Sequence, residues 1–221
     1  MGYYPILLRL DDKIALVAGG GKVARRKVET LLEFGASISI VARELIPELK
    51  KLVDNGTIRL VGKEFKPRHL DDVCLVIAAT DDRQLNHKIA ERARKKGILI
   101  NAVDQPSDCN FIVPSILKRG ELLIAISTSG RSPALAKGIR EKLEGQFGRE
   151  YETFLILMGR LRKEILAKGL SQEENSQIFH GIVRSDILKA ISGDDWEGVG
   201  STLSKILPDN IDIKNILNDL H

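Results

Sequence analysis

Three consecutive glycines stand where an apolar strand pattern gives way to a helical one, and no other stretch restricts the fold as tightly. Lys13 to Ala18 is a short apolar run, and Gly19-Gly20-Gly21-Lys22-Val23-Ala24 follows it in the pattern G-x-G-x-x-A. From Lys22 to Phe34 apolar residues fall at Val23, Val28, Leu31 and Leu32, a helical spacing that Gly35 stops. Strand, glycine turn and helix form the context in which the pattern acquires meaning. Gly19 allows the tight turn, Gly21 lets backbone approach a pyrophosphate with no Cβ in the way, and Ala24 keeps the helix close to the sheet. The anion would rest on the N–H groups of the helix N-terminus. A glycine turn of purely structural purpose is the plainer alternative.

The same rhythm continues downstream. Strands are expected at Ser37 to Ala42, Ile58 to Val61, Val73 to Ala79 and Ile98 to Ala102. Helices are expected from Ile46 to Val53 and from an Asp81 cap to Lys96. Strand–helix alternation with short connections means a parallel sheet with right-handed crossovers. After Val103 the pattern changes to a hairpin, Asn110 to Leu117 and Glu121 to Ser127, turning at Lys118-Arg119-Gly120. A helix then opens at Ser132-Pro133 and runs to about Leu143.

Beyond Tyr151 every pattern is helical. One stripe runs through Tyr151, Phe154, Leu155, Met158, Leu161 and Ile165. Ser171-Gln172-Glu173-Glu174 reads as a capping box before Ile178, Phe179, Ile182 and Val183, and shorter helices are expected at Gly200 to Leu207 and Asp212 to Leu220. The expected fold is α/β: a Rossmann-type parallel sheet over residues 1–112, a hairpin and helix over 113–147, and a helical domain over 148–221.

Candidate site residues cluster at the ends of the expected strands. A Rossmann site calls for an acid about 20 residues past the glycines to hold the ribose. This chain has Ala42-Arg43-Glu44 there. Arg43 suits a 2′-phosphate and NADP, Glu44 suits a ribose one step late, and a solvated loop is the plain alternative; the choice stays open. Ala78-Ala79-Thr80-Asp81 ends one strand with small residues that leave room for a ligand. Asn101-Ala102-Val103-Asp104 ends another, where Asp104 is either a general base or a turn residue. Ser127-Thr128-Ser129-Gly130-Arg131-Ser132 is a hydroxyl-rich loop before a helix, a second place for an anion. Arg131, Lys137, Arg140 and Lys142 form a carboxylate-binding patch or a solvated face.

Charge and composition narrow the classes. The chain carries +4 overall, but 25 basic residues face 18 acidic ones up to Phe147, against 9 and 12 beyond. A basic main portion and a slightly acidic tail point to an anionic partner. Aromatics at 5% supply no stacking platform for nucleic acid. Two cysteines and four scattered histidines build neither a disulfide framework nor a metal site. No run reaches the ~18 apolar residues of a membrane span, and the N-terminus lacks a signal-peptide pattern. A cytoplasmic protein without membrane or nucleic-acid partners is expected.

In combination these stretches resemble the precorrin-2 dehydrogenase/sirohydrochlorin ferrochelatase family, the N-terminal region of siroheme synthases. The carrying residues are Tyr4-Pro5-Ile6, Val17 to Ala24 with Arg26-Lys27, Ala78 to Asp82, Asn101 to Asp104, Phe111 to Ser115, and Ser127 to Pro133 through Leu143. The resemblance covers roughly residues 3–150. It implies NAD-dependent oxidation of precorrin-2, a polycarboxylate tetrapyrrole, to sirohydrochlorin, and in some members Fe2+ insertion to give siroheme. It places the essential aspartate on Asp104. It implies cofactor contacts at Lys22, Val23, Arg43 and Glu44, beside Gly19, Gly21, Ala24, Ala79 and Thr80. For substrate it points to Asn101, Ser127, Thr128, Gly130, Arg131 and Ser132; Thr128 stands where some members carry a phosphorylated serine. It further implies a homodimer joined through the hairpins and helical portions. The rival reading is a non-catalytic nucleotide-sensing Rossmann module that regulates a partner protein.

Overall fold

The computed structural model describes residues 2–220, and the chain divides into two compact units after Val113. In the first unit, five parallel strands are interleaved with helices. They are β1 (Ile14–Ala18), α1 (Lys22–Glu33), β2 (Ser37–Val41), α2 (Pro47–Asp54), β3 (Arg59–Gly62), β4 (Val73–Ala78), α3 (Arg83–Lys95) and β5 (Leu99–Ala102). The spatial order is β3-β2-β1-β4-β5. The chain therefore leaves β3 at one edge and re-enters beside β1, so the strand order reverses between β1 and β4. Open α/β sheets bind ligands at that point, outside the carboxyl ends of the strands.

β1 is the centre of the unit because its side chains feed two cores in alternation. Ala15 and Val17 join Ile38, Ile40, Leu75 and Ile77 on one face, against Ala24, Val28 and Leu31 of α1. Leu16 and Ala18 join Val76, Ala78 and Ile100 on the other, against Ile89, Ala90 and Ala93 of α3. An all-apolar strand is what burial on both faces requires. Val23, expected on the apolar stripe of α1, is instead 39% exposed at the helix start. The cap of α3 is Asp82, not Asp81: its Oδ1 accepts from the Gln84 and Leu85 amides at 2.9 and 3.0 Å.

The second unit begins with an antiparallel hairpin, β6 (Ser115–Arg119) and β7 (Leu122–Ile126), in which Leu117 faces Ile124. The expected turn is shifted. Arg119 is the last residue of β6, and its Nε donates to the Phe147 carbonyl at 2.8 Å near the end of α4 (Pro133–Glu144). Five more helices follow: α5 (Glu150–Ala167), α6 (Gln172–Arg184), α7 (Ile187–Ser192), α8 (Trp196–Ile206) and α9 (Ile213–Leu217). Of these, α7 was not anticipated. On α5 the buried set is Phe154, Leu157, Leu161 and Ile165, with Leu157 entering the core where Leu155 was expected. Among the described residues no helix is long and apolar enough to cross a membrane.

The capping box forms as the sequence predicts. Ser171 Oγ accepts from the Glu174 amide at 3.2 Å, and Glu174 Oε2 accepts from the Ser171 amide at 2.9 Å. Those bonds from Ser171 hold the Glu174 carboxyl below its ordinary range. Ser171→Ala is expected to destabilise the helical unit by ~1 kcal/mol. Urea denaturation followed by circular dichroism measures it, and an unchanged midpoint would refute the box as a stabilising element.

Candidate active site

The three glycines do three different things. Gly19 has φ +120°, and an added Cβ would run into the Ala79 carbonyl on the neighbouring strand. Gly20 is equally tight, because its Cβ would strike the Glu44 carbonyl. Its own carbonyl accepts from the Ile46 amide at 3.0 Å, so the loop after β2 packs on the turn. At Gly21, by contrast, an added Cβ would meet nothing within 4 Å. Gly21 is the N-cap of α1 in an extended conformation, and no side chain caps the first amides of the helix. Lys22 and Val23 are exposed beside it, while Ala24 is fully buried against the sheet.

Arg43 and Glu44 follow β2, and both are exposed. Arg43 Nη2 lies 3.1 Å from Glu64 Oε1, in the segment after β3. A carboxylate thus stands beside Arg43, delivered from the segment that follows the neighbouring strand.

At the end of β4, the Ala79 amide donates to the Ala18 carbonyl at 2.7 Å. Thr80 is pinned by Asn86, which is 2% exposed on α3. Asn86 Oδ1 accepts from the Thr80 hydroxyl at 2.7 Å, and its Nδ2 donates to the Thr80 carbonyl at 2.9 Å. At the end of β5, Asn101 Nδ2 donates to the Phe111 carbonyl at 3.2 Å. The Val103 amide extends the ladder to Ala78 at 2.9 Å, and the Gln105 amide closes a turn onto the Ala102 carbonyl. Asp104 is the third residue of that turn, with φ +57°. Its side chain is exposed, and its carboxylate has no partner among the described residues. Burial pushes the nearby Cys109 thiol up, and its Sγ meets the Ala102 amide at 3.2 Å, so it is a packing group.

Adjacent strands are ~4.8 Å apart, so the Asp104 turn stands roughly 10 Å along the same sheet edge from the glycine turn. The first unit therefore brings Gly19, Gly21, Lys22, Ala79, Thr80, Asn101 and Asp104 to one edge. Gly20, Asn86 and the buried Asp108 lie outside the residues that the sequence patterns single out. A third glycine inside the motif was the available signal for the first. The other two act through tertiary contacts that leave no local pattern.

The hydroxyl loop belongs to the second unit. Ser127 Oγ accepts from the Ser129 amide, Thr128 Oγ1 from the Ser132 amide, and Ser132 Oγ from the Leu135 amide, at 3.0, 3.0 and 3.2 Å. Each oxygen is used internally, which leaves the hydroxyl hydrogens to donate. Gly130 has φ +80°, and Arg131 is exposed without an ion-pair partner among the described residues. Lys137 and Arg140 pair instead with Glu141 and Glu144 on their own helix, which favours the solvated-face reading for those two. No group of three or more His, Cys, Asp or Glu that could hold a metal occurs among the described residues.

A family model described as "Putative NAD(P)-binding" matches residues 6–115, and one described as "Sirohaem biosynthesis protein central" matches 119–146. Siroheme synthase 1 of Aeromonas salmonicida is 41% identical over 188 residues, 85% of this chain and 40% of that protein. The chain belongs to the family of the siroheme synthase N-terminal region. Another member of the siroheme synthase family, Siroheme synthase 2 of Cronobacter sakazakii, is 36% identical over 213 residues, 96% of this chain and 47% of the relative. The chain spans less than half the length of these curated relatives. Among solved structures, SirC, precorrin-2 dehydrogenase, aligns with a TM-score of 0.75 at 27% identity, covering 92% of this chain and all of that one. The α/β architecture expected from the siroheme synthase resemblance is therefore the observed one.

Proposed function

We propose that this chain is a precorrin-2 dehydrogenase that uses NAD to make sirohydrochlorin. The observation that carries the reading is an open, glycine-lined helix N-terminus sharing one sheet edge with an unpartnered carboxylate. The open front of Gly21 fits a pyrophosphate, and the free amides of α1 supply donors for it. Gly19, Gly21, Lys22, Val23, Ala24, Arg43, Glu44, Ala79 and Thr80 hold the dinucleotide in this proposal. When bound, NAD supplies the two-electron acceptor. Asp104 takes the accompanying proton, a role for which an exposed, uncommitted carboxylate is suited. Asn101 holds the Asp104 strand end, and Ser127, Thr128, Gly130, Arg131 and Ser132 receive substrate carboxylates.

The basic first portion of the chain favours a polycarboxylate macrocycle over a neutral one. Residues 1–112 serve the cofactor, 113–147 the substrate and dimerisation, and 148–221 the helical remainder of a homodimer. The reaction belongs in the cytoplasm, where the dinucleotide pool is. Fe2+ enters as a second substrate in the same proposal, with Asp104 accepting the pyrrole protons.

Pure protein supplied with precorrin-2 and NAD is expected to form NADH and sirohydrochlorin in equal amounts. NAD binding without turnover would instead establish the nucleotide-sensing reading. Adding Fe2+ to the product tests metal insertion, and a rate equal to the uncatalysed one would restrict the chain to dehydrogenation.

The Arg43–Glu64 pair yields a separate expectation. Glu64 occupies the guanidinium that a 2′-phosphate would seek and repels that phosphate. Exposed pairs are worth ~0.2–1 kcal/mol, so Glu64→Gln should improve the NADP/NAD ratio of kcat/KM by up to about five-fold. Arg43→Ala in that background should abolish the gain. A Glu64→Gln ratio equal to wild type would remove Glu64 from cofactor choice.

A further inference from the structure

Asp108 is the one charged residue among the described ones that is buried, at 4% exposure. It lies in a short 3-10 turn, Pro106–Asp108, just past Asp104. Its oxygens collect three side chains. His87 Nδ1 lies 2.9 Å from both, Arg94 Nη2 donates to Oδ1 at 3.1 Å, and Gln105 Nε2 donates to Oδ2 at 3.1 Å. A carboxylate only accepts, so Nδ1 carries the hydrogen of His87. Arg94 also reaches the Ser107 carbonyl, and Gln105 Nε2 reaches the Arg83 carbonyl at 3.2 Å. Arg83 closes the circuit by donating from Nη2 to the Asp104 carbonyl at 3.3 Å. Glu91 Oε1, the other charged group near His87, is 4.0 Å from Nε2.

Arg83, His87 and Arg94 are spaced four and seven apart, so a single face of α3 grips the whole 104–108 loop. The grip matters because the Asp104 carboxylate has no hydrogen bond of its own. Its placement is set by its backbone, which sits in the sparsely populated left-handed region. A buried carboxylate with three donors resists displacement, since losing a donor leaves charge unpaired in the interior.

We propose that Asp108, clamped by His87 and Arg94 of α3 and by Gln105, is a positioning residue that aims Asp104 at the substrate. The proposal rests on the reading of Asp104 as the proton acceptor. Asp108→Asn presents an NH2 group to donors and loosens the loop. A displacement of about 1 Å in a reacting group lowers turnover by up to ~10²-fold, so kcat should fall by ~10–10²-fold with KM for NAD unchanged.

The test is a double-mutant cycle on precorrin-2 turnover with Asp104→Asn, alongside melting temperatures. If Asp108 works through Asp104, then Asp108→Asn lowers kcat in the wild-type background and adds no loss in Asp104→Asn. His87→Ala provides a second variant at a half-exposed helix position that tolerates alanine. It should lower kcat, and His87→Asn, which keeps a donor in the Nδ1 position, should restore it. Full activity in both Asp108→Asn and His87→Ala overturns the proposal, as does an Asp108→Asn loss of equal size in both backgrounds. Undiminished turnover in Asp104→Asn itself overturns the reading beneath it, a result that the other two cannot mimic.

Discussion

Asp104→Asn should melt within a few degrees of wild type, bind NAD with unchanged affinity, and lose ~10²–10⁴-fold in kcat. The substitution is chosen for the backbone. At φ +57° a side chain other than glycine is strained, and asparagine is the best tolerated of the rest. The asparagine variant therefore keeps the turn between Ala102 and Gln105 and removes only the carboxylate. Asp104→Ala should lose the same activity plus roughly 1 kcal/mol of stability, because alanine tolerates the left-handed region poorly. The pair separates chemistry from folding. Equal turnover in wild type and Asp104→Asn, measured as NADH formed from precorrin-2 and NAD, would remove Asp104 from the reaction.

The adjacent glycines should give opposite phenotypes. Gly20→Ala drives a methyl into the Glu44 carbonyl, which is backbone and cannot swing aside. Overpacking of that kind costs about 1–3 kcal/mol and is expected to lower the melting temperature sharply. Gly19→Ala adds the strain of φ +120° to a collision with Ala79, so it should be the worse of the two. Gly21→Val has room for its side chain and an extended backbone that valine favours. It should lose only about 1 kcal/mol of N-cap preference. Its methyl groups would fill the space in front of the α1 amides. Each charge-assisted bond lost is worth about 1.5–3 kcal/mol, so the Kd for NAD should rise by ~10-fold or more. Calorimetric titration together with a thermal melt reads both quantities. Wild-type affinity in a folded Gly21→Val protein would move the dinucleotide elsewhere.

The parallel sheet was legible because every cue for it is local: apolar-rich runs of four to seven residues, a glycine after each helix, and a regular alternation. The hairpin was legible in kind and misjudged in extent. Asn110 looked like the start of a strand, yet its side chain takes over edge bonding of β5, accepting from the Ile100 amide and donating to the Ile98 carbonyl. Asp81 and Asp82 are equivalent as letters, and only the chain path chooses which carboxylate faces the helix amides. In the site, the glycine motif could be found by spacing. The partners that give it character lie far along the chain: Glu64 is 21 residues from Arg43, and Asp108 is 21 residues from His87. Such pairs are set by how strands are ordered in the sheet, and no local window contains both members.

The double burial of β1 bears on how the site behaves before any ligand arrives. Ala15, Leu16 and Val17 have no exposed surface and touch a core on each side. Amides in such a strand exchange with solvent only through large-scale opening, so they should rank among the slowest in the chain. The glycine turn is the direct continuation of that strand. A glycine turn anchored there should be rigid in the free protein, and dinucleotide capture at the proposed site should slow hydrogen exchange in the flanking loops far more than in β1 itself.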